Sequence, residues 1–160
     1  WLKAGQRVTA AFHRMAMVEL AVAGDPFLRA SDIETQRDGP TYTVDTLAEL
    51  HRKFGPGAEL YLVLGTDSLI EIGRWHQPRR LFELSSLVGI VRPGAAELDP
   101  GALDAISPGA SGRVKLLDGP MLDVRAATLR RHVSQGLSIA DFVPEAVDAY
   151  IHQHRLYRDE

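Results

Sequence analysis

Cysteine is absent from the 160 residues, so disulfides and thiolate metal sites are excluded. No apolar run approaches the roughly 20 residues of a membrane-spanning helix, and no membrane partner is expected. Basic charge is not in excess either: 18 Lys and Arg stand against 21 Asp and Glu, for a net charge of −3 and a pI near 6.1. Phosphate-backbone affinity comes from clustered Lys and Arg, and here the arginines are spread along the chain, so no nucleic-acid surface is expected. There is no Gly-x-Gly-x-x-Gly or Walker loop, no internal repeat and no visible signal peptide. The first residue is Trp1 rather than Met, which raises the expectation of a sequence that begins partway into a longer protein. These absences leave a cytoplasmic enzyme or binding protein.

With 45% hydrophobic and 24% charged residues, residues 1–160 have the make-up of one globular domain with a real core. Segments alternate along it. Thr9 to Ala23 places Phe12, Ala16, Leu20 and Ala23 at helical spacing, with Gly24 and Pro26 as a stop. Phe27 to Glu34 alternates roughly and reads as a strand, followed by loop composition. Val44 to Phe54 carries Leu47, Leu50 and Phe54 on one helical face, with Thr43 placed to cap it and Gly55-Pro56 to close it. "LYLVLG" and "SLVGIV" are continuous apolar runs, the pattern of buried parallel strands. Arg92 to Arg113 is a surface connector with one short helix around Ala102 to Ile106, and "VKLLD" is a third strand. "RAATLRRHVSQ" and "PEAVDAYIHQH" are helices, the second with Pro144 in its first turn. Strands alternating with helices imply a doubly wound parallel sheet, an α/β fold.

In such folds ligands sit beyond the carboxyl ends of the strands, which directs attention to "YLVLGTDSLIEIGRWH", Tyr61 to His76. Gly65 ends the apolar run, where the backbone can approach a ligand closely. Asp67 opens the next helix near its positive end; it reads equally as a partner of the helix dipole. Trp75 reads as a core aromatic or as a platform for a flat heterocycle, at what looks like a helix end in His76-Gln77-Pro78. His152 and His154, two apart, fall on different helix faces, so a metal site there is not expected.

"GPTYTVDTLAEL", "YLVLGTDSLIEIGRWHQPRRLFELSSLVGIVRPG" and "FVPEAVDAYIHQHRLYR" together resemble bacterial nicotinate mononucleotide adenylyltransferases. Tyr-Thr-x-x-Thr-Leu, Gly-x-Asp-Ser-Leu, Trp and Arg-Pro-Gly occur in that order. "WLK" at Trp1 and "HRM" at His13 match the segment that follows the family's second strand. The resemblance implies a Rossmann-like nucleotidyltransferase that moves the adenylyl group of ATP to nicotinate mononucleotide, a late step of NAD synthesis. It implies substrate contacts at Thr43, Val44, Trp75 and His76: the ring on Trp75, its carboxylate on amides near Val44 and His76. It implies ATP contacts at Gly65, Asp67, Arg92, Arg125 and Arg130. Mg²⁺ would be held chiefly by the ATP phosphates. For Thr43 a helix cap, and for Arg92 a solvated strand-end charge, remain the plainer readings.

Two departures from the family stand out. Its Ile-Ser-Ser-Thr-x-Ile-Arg run is here Val124-Arg125-Ala126-Ala127-Thr128-Leu129-Arg130, which leaves helix amides and the positive charge of Arg125 in place of hydroxyls. Arg125 reads equally as a surface residue. The signature Gly-Gly-x-Phe-Asp-Pro-x-His-x-Gly-His has no match; the six histidines, at 13, 51, 76, 132, 152 and 154, form no His-x-Gly-His. The expectation is a chain lacking the first strand and, taken alone, inactive. The alternative is a non-catalytic nucleotide-binding module. The sequence leaves a homo-oligomer open.

Overall fold

The computed structural model describes residues 8–91, 96–119 and 124–158. Trp1 to Lys3, Arg92 and the rest of Arg-Pro-Gly lie outside them. Two compact units emerge, Pro40–Asp123, and Trp1–Gly39 with Val124–Glu160.

The first of these units is built on a sheet. Strands β1 (Tyr61–Gly65), β2 (Ser86–Val91) and β3 (Val114–Asp118) lie side by side in that order, all parallel. Tyr61 pairs with Ser86 and Gly65 with Ile90; Leu87 pairs with Val114 and Val91 with Asp118. Parallel strands need crossovers, and helices fill them. From β1 to β2 run α3 (Thr66–Ile70), a 3₁₀ turn (Ile72–Arg74) and α4 (Pro78–Leu84); from β2 to β3, α5 (Pro100–Ile106) and a 3₁₀ turn (Ser111–Arg113). This is the Rossmann-like α/β organisation that the alternating segments predict.

The core of this unit is made of Val44 and Leu47 from α2 (Thr43–Phe54), Leu69, Ile72, Leu81, Phe82, Leu87, Leu103 and Ala110. Gly89 in β2 is required by proximity. A Cβ there would stand 2.5 Å from Leu69 Cδ1 and 2.6 Å from Leu116 Cδ2, so the absence of a side chain lets α3 lie close on the sheet. Burial of β1 is one-sided: Tyr61 and Val63 are 60% and 59% exposed, whereas the apolar run predicts cover on both faces.

Helix ends follow their chemistry. Asp99 caps α5 by accepting from the Gly101 amide at 2.8 Å, with Pro100 at the first position. Gly55 closes α2 at φ 89°. Asp104 on α5 accepts from the amide and the hydroxyl of Ser111, both at 2.9 Å, tying the helix to the turn that launches β3. The Arg113 guanidinium donates to the Phe82 carbonyl.

The second unit is helical: α1 (Ala11–Val22), α6 (Ala126–Ser134) and α7 (Glu145–Gln153). Val133, Ile139, Val147 and Ile151 form its core, with Met17, Leu20, Leu129, Val143, Leu156 and Tyr157 packed around it. His13 Nδ1 lies 2.9 Å from the Tyr150 hydroxyl, joining α1 to α7.

Two expectations fail here. The face expected from Phe12, Ala16, Leu20 and Ala23 packs only in part: Leu20 reaches the core with Met17, whereas Phe12 is 66% exposed and α1 has no fully buried residue. Phe27 to Glu34 is a series of turns rather than a strand. Asp25 accepts from the Phe27 amide, and the Asp32 carbonyl from the Thr35 amide and hydroxyl; such local bonds compete with strand pairing. Phe27 is left 93% exposed.

Candidate functional site

The carboxyl ends of the three strands come out on one edge of the sheet, as parallel pairing requires. Gly65 is the last residue of β1 and the residue before α3, with φ −68° and ψ 150°. Asp67 follows in the first turn of α3, solvent-exposed. Between them Thr66 is only 3% exposed, and its Oγ1 meets no hydrogen-bond partner among the described residues. A buried hydroxyl in that state is costly. Sequence reasoning passed over it because a Thr between Gly and Asp gives no sign of its burial.

The helix begun at Thr66 does not run through to Trp75. It ends at Ile70 and gives way to a 3₁₀ turn whose last amide bond runs from Trp75 to the Ile72 carbonyl, 3.0 Å. Trp75 is then half-buried and packs against the core cluster, while His76 beside it is exposed. Gln77 takes the left-handed conformation, φ 50° and ψ 58°, and Pro78 starts α4 as its first residue. The run His76-Gln77-Pro78 is therefore a helix start as much as a helix end.

At the start of α2 the structure corrects one assignment. The residue at the cap position is Tyr42, without a side-chain cap bond, and Thr43 is the first residue of the helix rather than its cap. The Asp45 and Thr46 amides turn onto the Tyr42 carbonyl, at 3.0 and 3.3 Å. The Thr43 and Val44 amides are those that a helix start leaves without an intrahelical partner. Thr43 is half-buried and Val44 only 1% exposed; Val44 is a core residue by its side chain, so any ligand contact must come from its backbone.

These two segments meet. The phenol ring of Tyr42 stacks on the imidazole of His76, centroids 4.1 Å apart and planes at 25°. The start of α2 and the Trp75-His76 turn, more than thirty residues apart in sequence, thus stand side by side. Tyr42 stands in the Tyr-Thr-x-x-Thr-Leu run, where sequence reasoning gives it no role; an aromatic flanking Thr43 was the available signal.

Arg125 and Arg130 belong to the helical unit. Arg125 is the exposed residue at the cap position of α6 and its carbonyl accepts from the Leu129 amide at 3.1 Å; Arg130 is half-buried within α6. Two cavities are lined by none of these candidates. One of about 250 Å³ opens at the amino ends of β1 and β2, beside Tyr61, Ser86 and His51. The other, about 410 Å³, lies in the helical unit beside Val133, Ile151 and His152. In folds of this kind ligands sit beyond the carboxyl ends of the strands, which keeps attention on Gly65 and Asp67 rather than on either cavity. Among the described residues no group of three His, Asp or Glu is arranged to hold a metal, and no helix is long and apolar enough to cross a membrane.

Residues 2–155 match the cytidylyltransferase-like family. The "Probable nicotinate-nucleotide adenylyltransferase" of Roseiflexus castenholzii is 44% identical over 157 residues, which cover 98% of this chain and 77% of the relative. The protein of the same name from Dehalococcoides mccartyi is 40% identical with the same coverage. Among solved structures, Plasmodium falciparum nicotinic acid mononucleotide adenylyltransferase complexed with NaAD matches with a TM-score of 0.72 at 19% identity, over 98% of this chain and 78% of that one. The P. falciparum enzyme complexed with APC matches with a TM-score of 0.67 at 22% identity, over 96% and 78%. At such identities the likeness is one of fold.

Proposed function

The chain belongs to the nicotinate-nucleotide adenylyltransferases of the cytidylyltransferase-like family, and from that membership we propose that it transfers the adenylyl group of ATP to nicotinate mononucleotide, giving nicotinate adenine dinucleotide and pyrophosphate in NAD synthesis. The observation that carries the reading is the Tyr42–His76 stack. It brings together the two segments that the resemblance assigns to the nicotinate ring.

Adenylyl transfer is an in-line displacement at the α-phosphorus, so a protein acts by positioning two nucleotides and stabilising charge rather than by supplying a nucleophile. In this chain Trp75 offers the ring a flat apolar partner, and the amides of Val44 and His76 face its carboxylate. Amides donate, which suits an acid better than a carboxamide NH₂. Gly65 and Asp67 lie along the ribose of ATP, Arg92 borders its adenine or phosphates, and for Arg125 and Arg130 the resemblance implies ATP contacts. Mg²⁺ enters as part of the MgATP substrate, held chiefly by the ATP phosphates. The setting is the cytoplasm, where both nucleotides are available.

Calorimetry with nicotinate mononucleotide reads the pocket, and pyrophosphate release with ATP reads the chemistry. Saturable binding and product formation are expected. Binding without turnover by the whole protein would turn the reading to a non-catalytic nucleotide-binding module; no binding would overturn both.

A further inference from the structure

His76 is held from two sides. On one side is Tyr42, itself half-buried and packed on the core of its unit, its ring stacked on the imidazole at 4.1 Å. On the other is Gln77, whose side-chain Nε2 lies 3.0 Å from His76 Nε2. An amide nitrogen can only donate, so the imidazole accepts there. The Arg80 guanidinium, 3.4 Å from Gln77 Oε1, donates to that oxygen and so keeps the nitrogen turned toward the ring. An exposed imidazole, which would otherwise sample several rotamers, is thereby fixed in one.

The backbone is committed at the same place. Gln77 adopts φ 50° directly before Pro78, a conformation disfavoured for a residue with a Cβ and discouraged again by the following proline. Non-glycine residues persist in such states where their surroundings over-determine them, and these states cluster at ligand clamps. The stack, the side-chain chain and the backbone outlier all bear on His76.

We propose that Tyr42 and Gln77 are positioning residues that brace His76, holding its ring and hence its backbone amide in the orientation that receives the carboxylate of a pyridine mononucleotide. This rests on the function proposed above and deepens it. The brace sets the preference for the acid over the carboxamide, because an amide held in place rewards an acceptor and penalises an NH₂, whereas a loose one turns away from either. Neither residue acts on the phosphorus chemistry, and ATP affinity is independent of both.

Three variants separate the brace from ordinary packing. Tyr42→Leu keeps apolar bulk and removes the flat ring. Tyr42→Phe restores it. Gln77→Gly removes the side-chain bond while relieving the left-handed backbone. Calorimetry with nicotinate mononucleotide, nicotinamide mononucleotide and ATP is expected to show roughly 3- to 10-fold weaker binding of the acid in Tyr42→Leu and Gln77→Gly, a narrower acid-to-amide ratio, and unchanged ATP affinity. Tyr42→Phe stays close to the parent. Gln77→Gly loses acid affinity without losing thermal stability, a split that a merely structural role does not produce.

The ring-current shift of the His76 imidazole protons, read by NMR without ligand, is expected to vanish in Tyr42→Leu and persist in Tyr42→Phe. An unchanged acid-to-amide ratio in Tyr42→Leu, or equal losses for the acid and ATP, overturns the brace while leaving the functional reading intact. A parent protein that binds neither mononucleotide overturns the functional reading, and the brace with it.

Discussion

The imidazole Nε2 of His51, in the last turn of α2, meets the carbonyl oxygen of Leu84, the last residue of α4, at 2.7 Å. It satisfies one of the carbonyls that a helix end leaves open, and so fastens α2 to the helix that leads into β2. Replacement of His51 by Leu keeps the bulk and strands that carbonyl. A loss of about 1 to 2 kcal/mol is expected in chemical denaturation, with an unchanged denaturant slope; a neutral result would show that water replaces the imidazole.

Gly89→Ala is expected to destabilise by roughly 1 to 3 kcal/mol. Leu116 is partly exposed and can move, but Leu69 is fully buried. Pairing Gly89→Ala with Leu69→Ala should cost less than the sum of the two single changes, because the cavity left by one receives the methyl of the other. Strict additivity in a double-mutant cycle would contradict the close approach.

For Trp75 the half-burial decides the choice of variant. Trp75→Leu retains apolar contact with the core cluster and removes the aromatic face. Binding of nicotinate mononucleotide is expected to weaken by about 1 to 3 kcal/mol with ATP affinity nearly unchanged. Equal losses for the two ligands would assign Trp75 to the core alone.

Arg125, exposed at the start of α6, carries a separate expectation. Arg125→Ala should weaken ATP binding at low salt, and the difference from the parent should shrink as ionic strength rises, since screening acts on exposed charge. An unchanged ATP affinity at low salt would dismiss a phosphate role.

Asp104 makes stability depend on acid. The Ser111 backbone amide first, and its hydroxyl second, hold this carboxyl below its ordinary value of 3.8. A depressed carboxylate contributes its full share above the unfolded-state value and loses it as pH falls through the lower folded-state value. Asp104→Ala should therefore lower Tm at neutral pH, and the gap from the parent should close on acidification below about pH 4. A gap that persists at pH 2 would mean that packing, not charge, is responsible.

What could be read from the residues was the order of the elements. Leu62 to Leu64 and Leu87 to Ile90 announce parallel strands because a continuous apolar run fits little else of that length, and Pro144 marks a helix start by steric exclusion. Tertiary matters were not legible. Nothing local to Tyr61 and Val63 tells that one side of β1 is open. The spacing of Phe12, Ala16 and Leu20 on α1 is right for a packed face, yet only Leu20 of these reaches the core, with Met17 beside it, and Phe12 stays exposed. Pro78 was read as an ending because it follows a polar run; only the left-handed turn at Gln77 makes it a beginning. At the candidate site, sequence pointed to His76 and Trp75 one by one, whereas the stacking of Tyr42 depends on how two distant turns are brought together.

No pair of strands in the sheet is local: Tyr61 meets Ser86, and Leu87 meets Val114. Among these described strands, therefore, no hairpin can form early and wait for the rest. Each ladder has to close a long crossover before its hydrogen bonds repay the lost chain entropy, and those crossovers contain Leu69, Ile72, Leu81, Phe82 and Leu103, all members of this unit's core. Strand pairing and helix packing are thus coupled, because the connections that must close each ladder carry the side chains that cover the sheet.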